Sequence, residues 1–77
     1  MKRVFSKKSI KDIAKINSPH KQRIKNAIKD LPDGDVKKMK GYEGLYRLRV
    51  GSWRIIFSYA TEDTILIEDV EPRGSIY

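Results

Sequence analysis

Between Tyr46 and Phe57 the chain reads Tyr-Arg-Leu-Arg-Val-Gly-Ser-Trp-Arg-Ile-Ile-Phe, two runs of period two hinged on a Gly-Ser pair. No other stretch narrows the fold so much. Alternating apolar and polar residues call for half-buried β-strands, and a two-residue loop containing glycine is a hairpin signal. With Gly51-Ser52 as the loop, Val50 pairs with Trp53, Arg49 with Arg54, Leu48 with Ile55, Arg47 with Ile56 and Tyr46 with Phe57. One face then collects Tyr46, Leu48, Val50, Trp53, Ile55 and Phe57, while Arg47, Arg49 and Arg54 gather on the other. A slip of one residue would drive the arginines into the core, so the register is strongly specified.

The rest of the chain fits around this hairpin. Val4-Phe5 reads as a short strand. Ser6 offers an N-cap, and Ile10, Ile13 and Ala14 follow at i, i+3, i+4, predicting an amphipathic helix of about ten residues. Ser18-Pro19 is a second start signal, a capping hydroxyl before a proline at the first helical position. Ile24, Ala27, Ile28 and Leu31 supply the apolar stripe of that helix, and Pro32-Asp33-Gly34 ends it. Residues 35–44 read as a basic, glycine-punctuated connection carrying Lys37, Lys38 and Lys40. Beyond the hairpin, Thr61-Glu62-Asp63 turns the chain into a third meander strand, Thr64-Ile65-Leu66-Ile67, before Pro72 and Gly74 break the pattern. The expectation is a single α+β domain over residues 1–77. It has an N-terminal strand, a helical hairpin and a three-stranded antiparallel meander, with the helices packed on one face of the sheet.

Composition closes off several alternatives. Seventy-seven residues make one domain, and 39% hydrophobic residues suffice for one core. The absence of cysteine excludes a disulfide scaffold, a thiolate zinc site and a thiol nucleophile. Apolar runs are only a few residues long, too short for a membrane helix, and Lys7 and Lys8 interrupt the region where a signal peptide needs its apolar core. A soluble cytoplasmic protein is expected, with no membrane contact. The net charge of +7 suits a polyanionic partner or simple solubility equally well, and the placement of the charge decides between them. Arginines directly opposite one another cost about 0.2–1 kcal/mol per pair. A lone arginine on a solvated face would mean little. Three on one small patch favour an anion site, because planar guanidinium groups match phosphate oxygens.

The hairpin, together with Val70-Glu-Pro-Arg-Gly-Ser-Ile-Tyr77, resembles the RelE/ParE superfamily of bacterial toxins, and its RelE branch in particular. The family pattern is approximately Tyr-Arg/Lys-x-Arg/Lys-x-Gly-x-x-Arg-x-x-Tyr/Phe, then Val-x-x-Arg with a tyrosine four residues later. The arginine hairpin is widespread in the superfamily, whereas the Arg73…Tyr77 pair is narrower and points to the mRNA-cleaving branch. The resemblance spans essentially the whole chain. It implies a type II toxin that cuts mRNA in the ribosomal A site and is neutralised by a cognate antitoxin. It places Arg49, Arg54, Arg73 and Tyr77 at catalytic positions and Arg47 among the phosphate-binding ones, with no cofactor and no metal. Positions 47 and 49 carry Arg where some members have Lys, and a permanently protonated guanidinium is a poor general base.

RNA supplies its own nucleophile in the 2′-hydroxyl, so cleavage needs a proton acceptor, fixed cations around the phosphorane and a proton donor for the leaving 5′-oxygen. Arg54 and Arg73, with Arg49 or Arg47, suit the electrostatic role, each donor contributing on the order of 3 kcal/mol. Tyr77 is placed to orient the 2′-hydroxyl, stack on a base or exchange a proton. Lys37, Lys38 and Lys40 are rRNA-contact candidates as much as a solvated loop. His20 reads as a surface residue and Trp53 as core. Glu68, Asp69 and Glu71 lack metal-site spacing and read as partners of nearby cations. Two other classes remain open: a ParE-like gyrase poison, which Arg73 and Tyr77 argue against, and a non-catalytic RNA-binding member, which the lack of an evident base favours.

Overall fold

The computed structural model describes residues 1–72 of the chain. Its centre is the hairpin of β3 (Tyr46–Val50) and β4 (Trp53–Thr61), whose register pairs Val50 with Trp53, Arg49 with Arg54 and Tyr46 with Phe57, as the alternation requires. Gly51 turns it with φ +56°, a left-handed conformation that glycine adopts without steric cost. β5 (Thr64–Pro72) continues the meander and runs well past the four residues expected of it. β1 (Lys2–Phe5) lies parallel to the first half of β5.

The connection expected over residues 35–44 is a strand at its beginning. Asp35–Lys38 forms β2, antiparallel to β3, and the sheet has five strands in the order β1-β5-β4-β3-β2. Its signal is faint because Val36 is its one apolar residue; as a four-residue edge strand it has little to bury. Lys37 and Lys38 therefore sit on a strand, on opposite faces, and Lys40 stays in the loop that follows.

Both helices pack on the face carrying Leu48, Ile55 and Phe57. α1 (Lys7–Ala14) starts where expected, with the Ser6 hydroxyl accepting from the Ser9 amide. Its buried line differs from the expected one. Ser9, Ile13 and, just past the helix, Ile16 face inward, while Ile10 is exposed. The fully buried Ser9 explains the rotation, since a small side chain at that point lets the first turn press against the sheet. α2 (His20–Asp30) buries Ile24 and Ile28, with Leu31 immediately after it, as its stripe predicts. Ser18 does not cap it: Pro19 occupies the cap position and no side chain bonds there. The other end is capped from a distance. Arg3 donates to the carbonyls of Ile28, Lys29 and Leu31 at 3.1, 2.5 and 2.7 Å, satisfying terminal acceptors and complementing the helix dipole.

α1 also finishes the sheet. β1 stops at Phe5, leaving the second half of β5 without a strand on that side, and α1 takes its place. Ser6 donates to the Glu68 carbonyl at 2.8 Å, the Val70 amide donates to Asp12 Oδ2 at 3.1 Å, and Lys8 bridges Asp12 (3.0 Å) and Asp69 (2.8 Å). A register shift between Ile56 and Phe57 leaves Glu68 as an extra residue, so both Ile67 and Val70 reach the core despite their odd spacing.

Candidate functional site

Directly opposite residues share a face, so the four-strand register arranges the uncovered side of the sheet in rows. Asp35, Arg49, Arg54 and Glu71 form one; Lys37, Arg47, Ile56 and Asp69 form the next. Cations occupy the middle and acids the ends of the first row. Arg47, Arg49 and Arg54 are thus brought together from two adjacent strands, and Lys37 joins them from β2, which the sequence pattern did not reveal.

The three guanidinium groups are not equivalent. Arg47 retains only 13% of its side-chain exposure; its Nη1 lies 3.4 Å from the Asp35 carbonyl and 3.7 Å from the Asp35 carboxylate. Arg54 retains 16%, with Nη2 3.1 Å from Glu71 Oε1. Arg49 is exposed. Ile56 is buried to 5% although it points away from the helices. Arg47 beside it, Asp69 on its other side and Arg54 two residues earlier are the neighbours whose stems can cover it. Two arginines are therefore mostly buried with an acid beside each, whereas the third is exposed and makes no ion pair among the described residues. Such preorganised cations stabilise developing negative charge without having to move.

Arg73 and Tyr77, expected at catalytic positions, lie outside the described residues. Lys38 and Lys40 are exposed but sit away from the arginine rows, on the other side of β2 and in its following loop. Glu71 and Asp69 do pair with cations, Arg54 and Lys8. Asp35 was not singled out in the sequence; its role follows from β2, which was itself hidden. His20, exposed, is closer to the hairpin than its place in the chain suggests, its ring tilted against Trp53 at 6.3 Å. Among the described residues no cluster of His, Cys, Asp or Glu could hold a metal ion, and no helix is long and apolar enough to cross a membrane.

The family described as ParE toxin of type II toxin-antitoxin system, parDE, matches residues 4–77. The chain belongs to the RelE/ParE toxin superfamily. It is 36% identical to Toxin RelE3 of Methanocaldococcus jannaschii over 85 aligned positions, covering all of this chain and 96% of that one. Its fold is similar to that of a chain in the RelB-RelE antitoxin-toxin complex of Methanococcus jannaschii, with a TM-score of 0.80 and 34% identity over 96% of this chain and 94% of that one. It is also similar to a chain of the archaeal RelE-RelB complex of Pyrococcus horikoshii OT3, with a TM-score of 0.72, 27% identity and 96% coverage of each chain. A third likeness, to the RelBE2 complex of Mycobacterium tuberculosis at 23% identity and a TM-score of 0.64 over 94% of this chain and 96% of that one, concerns the fold.

Proposed function

We propose that this toxin is a metal-independent endoribonuclease that cleaves mRNA on the ribosome and is held inactive by a cognate antitoxin. The observation that supports the reading most is the cluster of Arg47, Arg49 and Arg54 on the helix-free face. A fold of modest size gains no stability from placing Arg49 opposite Arg54, so the cost has a reason outside folding. The scissile phosphate sits on this cluster. The 2′-oxygen attacks phosphorus, the bond to the 5′-oxygen breaks, and the products are a 2′,3′-cyclic phosphate and a 5′-hydroxyl. Arg49 and Arg54 stabilise the charge on the phosphorane, Arg47 fixes the phosphate, and Arg73 and Tyr77 complete the site. Glu71, beside Arg54, is our candidate acceptor for the 2′-hydroxyl proton, and Tyr77 the donor to the leaving oxygen. Lys37 extends the cationic surface of the arginine face, and Lys38 and Lys40 offer further cations to RNA from the other side of β2 and its loop. The antitoxin reading is supported by the structural relatives, which were solved as toxin-antitoxin pairs.

A purified translation reaction tests the proposal. Codon-positioned cuts in ribosome-bound mRNA, lost in Arg54→Ala, are the expected result; intact mRNA would overturn it. Because the matched family is described by its ParE members, inhibition of DNA gyrase is the second reading, and a supercoiling assay on the same preparation separates the two.

A further inference from the structure

Away from the arginine rows, the loop over residues 39–45 joins β2 to β3 and is internally bonded. The Met39 amide donates to the Leu45 carbonyl at 3.0 Å, Tyr42 to Met39 at 3.3 Å and Leu45 to Tyr42 at 3.3 Å. Gly41 and Gly44 take φ of +81° and +79°, and a Cβ at either would meet nothing within 4 Å, so glycine is required there by backbone conformation and not by space. The loop borders an open cavity of about 440 Å³, within the roughly 300–1,000 Å³ typical of small-ligand sites. Lys38, Met39, Tyr42, Glu43 and Tyr46 are among its walls.

The two tyrosines differ usefully. Tyr46 is immobilised, stacked on Phe57 at 5.5 Å with an interplanar angle of 20° and set edge-on to Tyr59 at 5.4 Å. Tyr42 is 59% exposed and makes no ring contact among the described residues, yet a hydrogen-bonded loop carries it. An exposed aromatic on a fixed backbone is a stacking surface that sequence-tolerant single-strand binders use. Lys38 and Lys40 make no ion pair among the described residues, leaving two ammonium groups for phosphate. Glu43 can only accept hydrogen bonds when ionised, so it favours a base edge that offers N–H donors. The route from the arginine rows is short: Lys37 and Lys38 are consecutive on the edge strand, one on the arginine face and the other at the cavity.

Resting on the reading of this chain as RNA-directed, we propose that the cavity beside the 39–45 loop is a nucleotide subsite for single-stranded RNA. One base lies against Tyr42 and Tyr46, its phosphates lie on Lys38 and Lys40, and the strand rounds the edge of β2 from the arginine face. The subsite grips the substrate at a point remote from the scissile phosphate.

The test uses the full chain and a 2′-O-methyl single-stranded oligonucleotide, which lacks the nucleophile and stays intact, with binding followed by fluorescence anisotropy over a range of salt. Tyr42→Ala should weaken binding about tenfold, while Tyr42→Phe retains it. The Lys38→Ala, Lys40→Ala double variant should flatten the logarithmic salt dependence by about 0.7 per lysine. Glu43→Gln should narrow the difference in affinity between guanine-rich and uracil-rich oligomers. Wild-type affinity in Tyr42→Ala, with an unchanged urea midpoint, would overturn the proposal, as would no binding by the parent protein. Tyrosine-dependent binding with no mRNA cleavage in the translation reaction would leave the subsite standing and remove the nuclease reading. Cleavage together with Tyr42-independent binding would do the reverse.

Discussion

On the helix side of the sheet, Leu48, Ile55 and Phe57 are sealed from solvent. One residue along each strand, the opposite side carries Arg47, Arg49 and Arg54. The same backbone thus serves two sets of demands. The covered side is governed by volume: large apolar side chains interlock with Ile24 and Ile28, and each contributes roughly 1.5–3 kcal/mol through burial. The open side accepts an electrostatic conflict at its centre, relieved by Asp35 and Glu71 at the row ends. The apolar core lies on one side and the arginine cluster on the other, and the tight turn at Gly51-Ser52 keeps them in step.

Mutations on the two sides should therefore separate. The largest effect is expected from Phe57→Ala, about 3–5 kcal/mol of lost stability by urea denaturation, because it opens a cavity among fully buried neighbours. Arg54→Ala should lower mRNA cleavage about 10²–10³-fold in a translation assay, the scale of removing one preorganised donor, while its urea midpoint moves far less than that of Phe57→Ala. If the order were reversed, with the arginine variant unfolding and the phenylalanine variant merely inactive, the division of labour would fail. Asp12→Ala should cost about 1–2 kcal/mol, since it strips the acceptor from the Val70 amide at the point where α1 replaces a strand. Arg49→Thr sharpens the contrast: removing one of two facing cations should raise stability by about 0.2–1 kcal/mol while lowering cleavage, seen as opposite shifts in thermal midpoint and rate.

The smallest effect concerns Lys8, an exposed ammonium held by Asp69 and then Asp12, which push its pKa above the ordinary 10.5. A raised folded-state value means that the clamp's contribution, about 0.2–1 kcal/mol for a surface pair, is complete below pH 10.5 and fades only as pH climbs through that higher value. The urea midpoints of wild type and Lys8→Met should differ by a constant amount from pH 7 to about pH 10 and converge in stronger alkali. Convergence near neutrality would show that the clamp is not holding.

How much of this was legible in the sequence depended on how local each signal was. The hairpin register could be read residue by residue because alternation and turn lie within twelve positions of one another. α2 is nearly as clear, since its stripe of Ile24, Ala27, Ile28 and Leu31 keeps helical spacing over about two turns. β2 was not, as Asp-Val-Lys-Lys offers a single apolar residue and its pairing is supplied by a partner already in place. The placement of Lys37 beside Arg47, and the role of Asp35, were lost with it. The helix-capping role of Arg3 has no sequence signal, because its acceptors lie 25–28 positions away, where no pattern links them. The inward line of α1 departs from its apolar periodicity because a small polar residue, Ser9, takes a place that periodicity assigns to something apolar. The arginines of the candidate site are visible from alternation, whereas the acids at their row ends depend on the pairing of β2 and β5 with the hairpin.

The pairing of β1 with β5 joins segments separated by about sixty residues, and α1 depends on the same late strand through Asp12 and Val70. While the chain is being made, neither the leading strand nor the first helix has a seat until residues 64–72 emerge. Synthesis interrupted before that point would yield a fragment with an open sheet and a loose helix. A member of a toxin superfamily thereby acquires its folded shape only once residues 64–72 have been made.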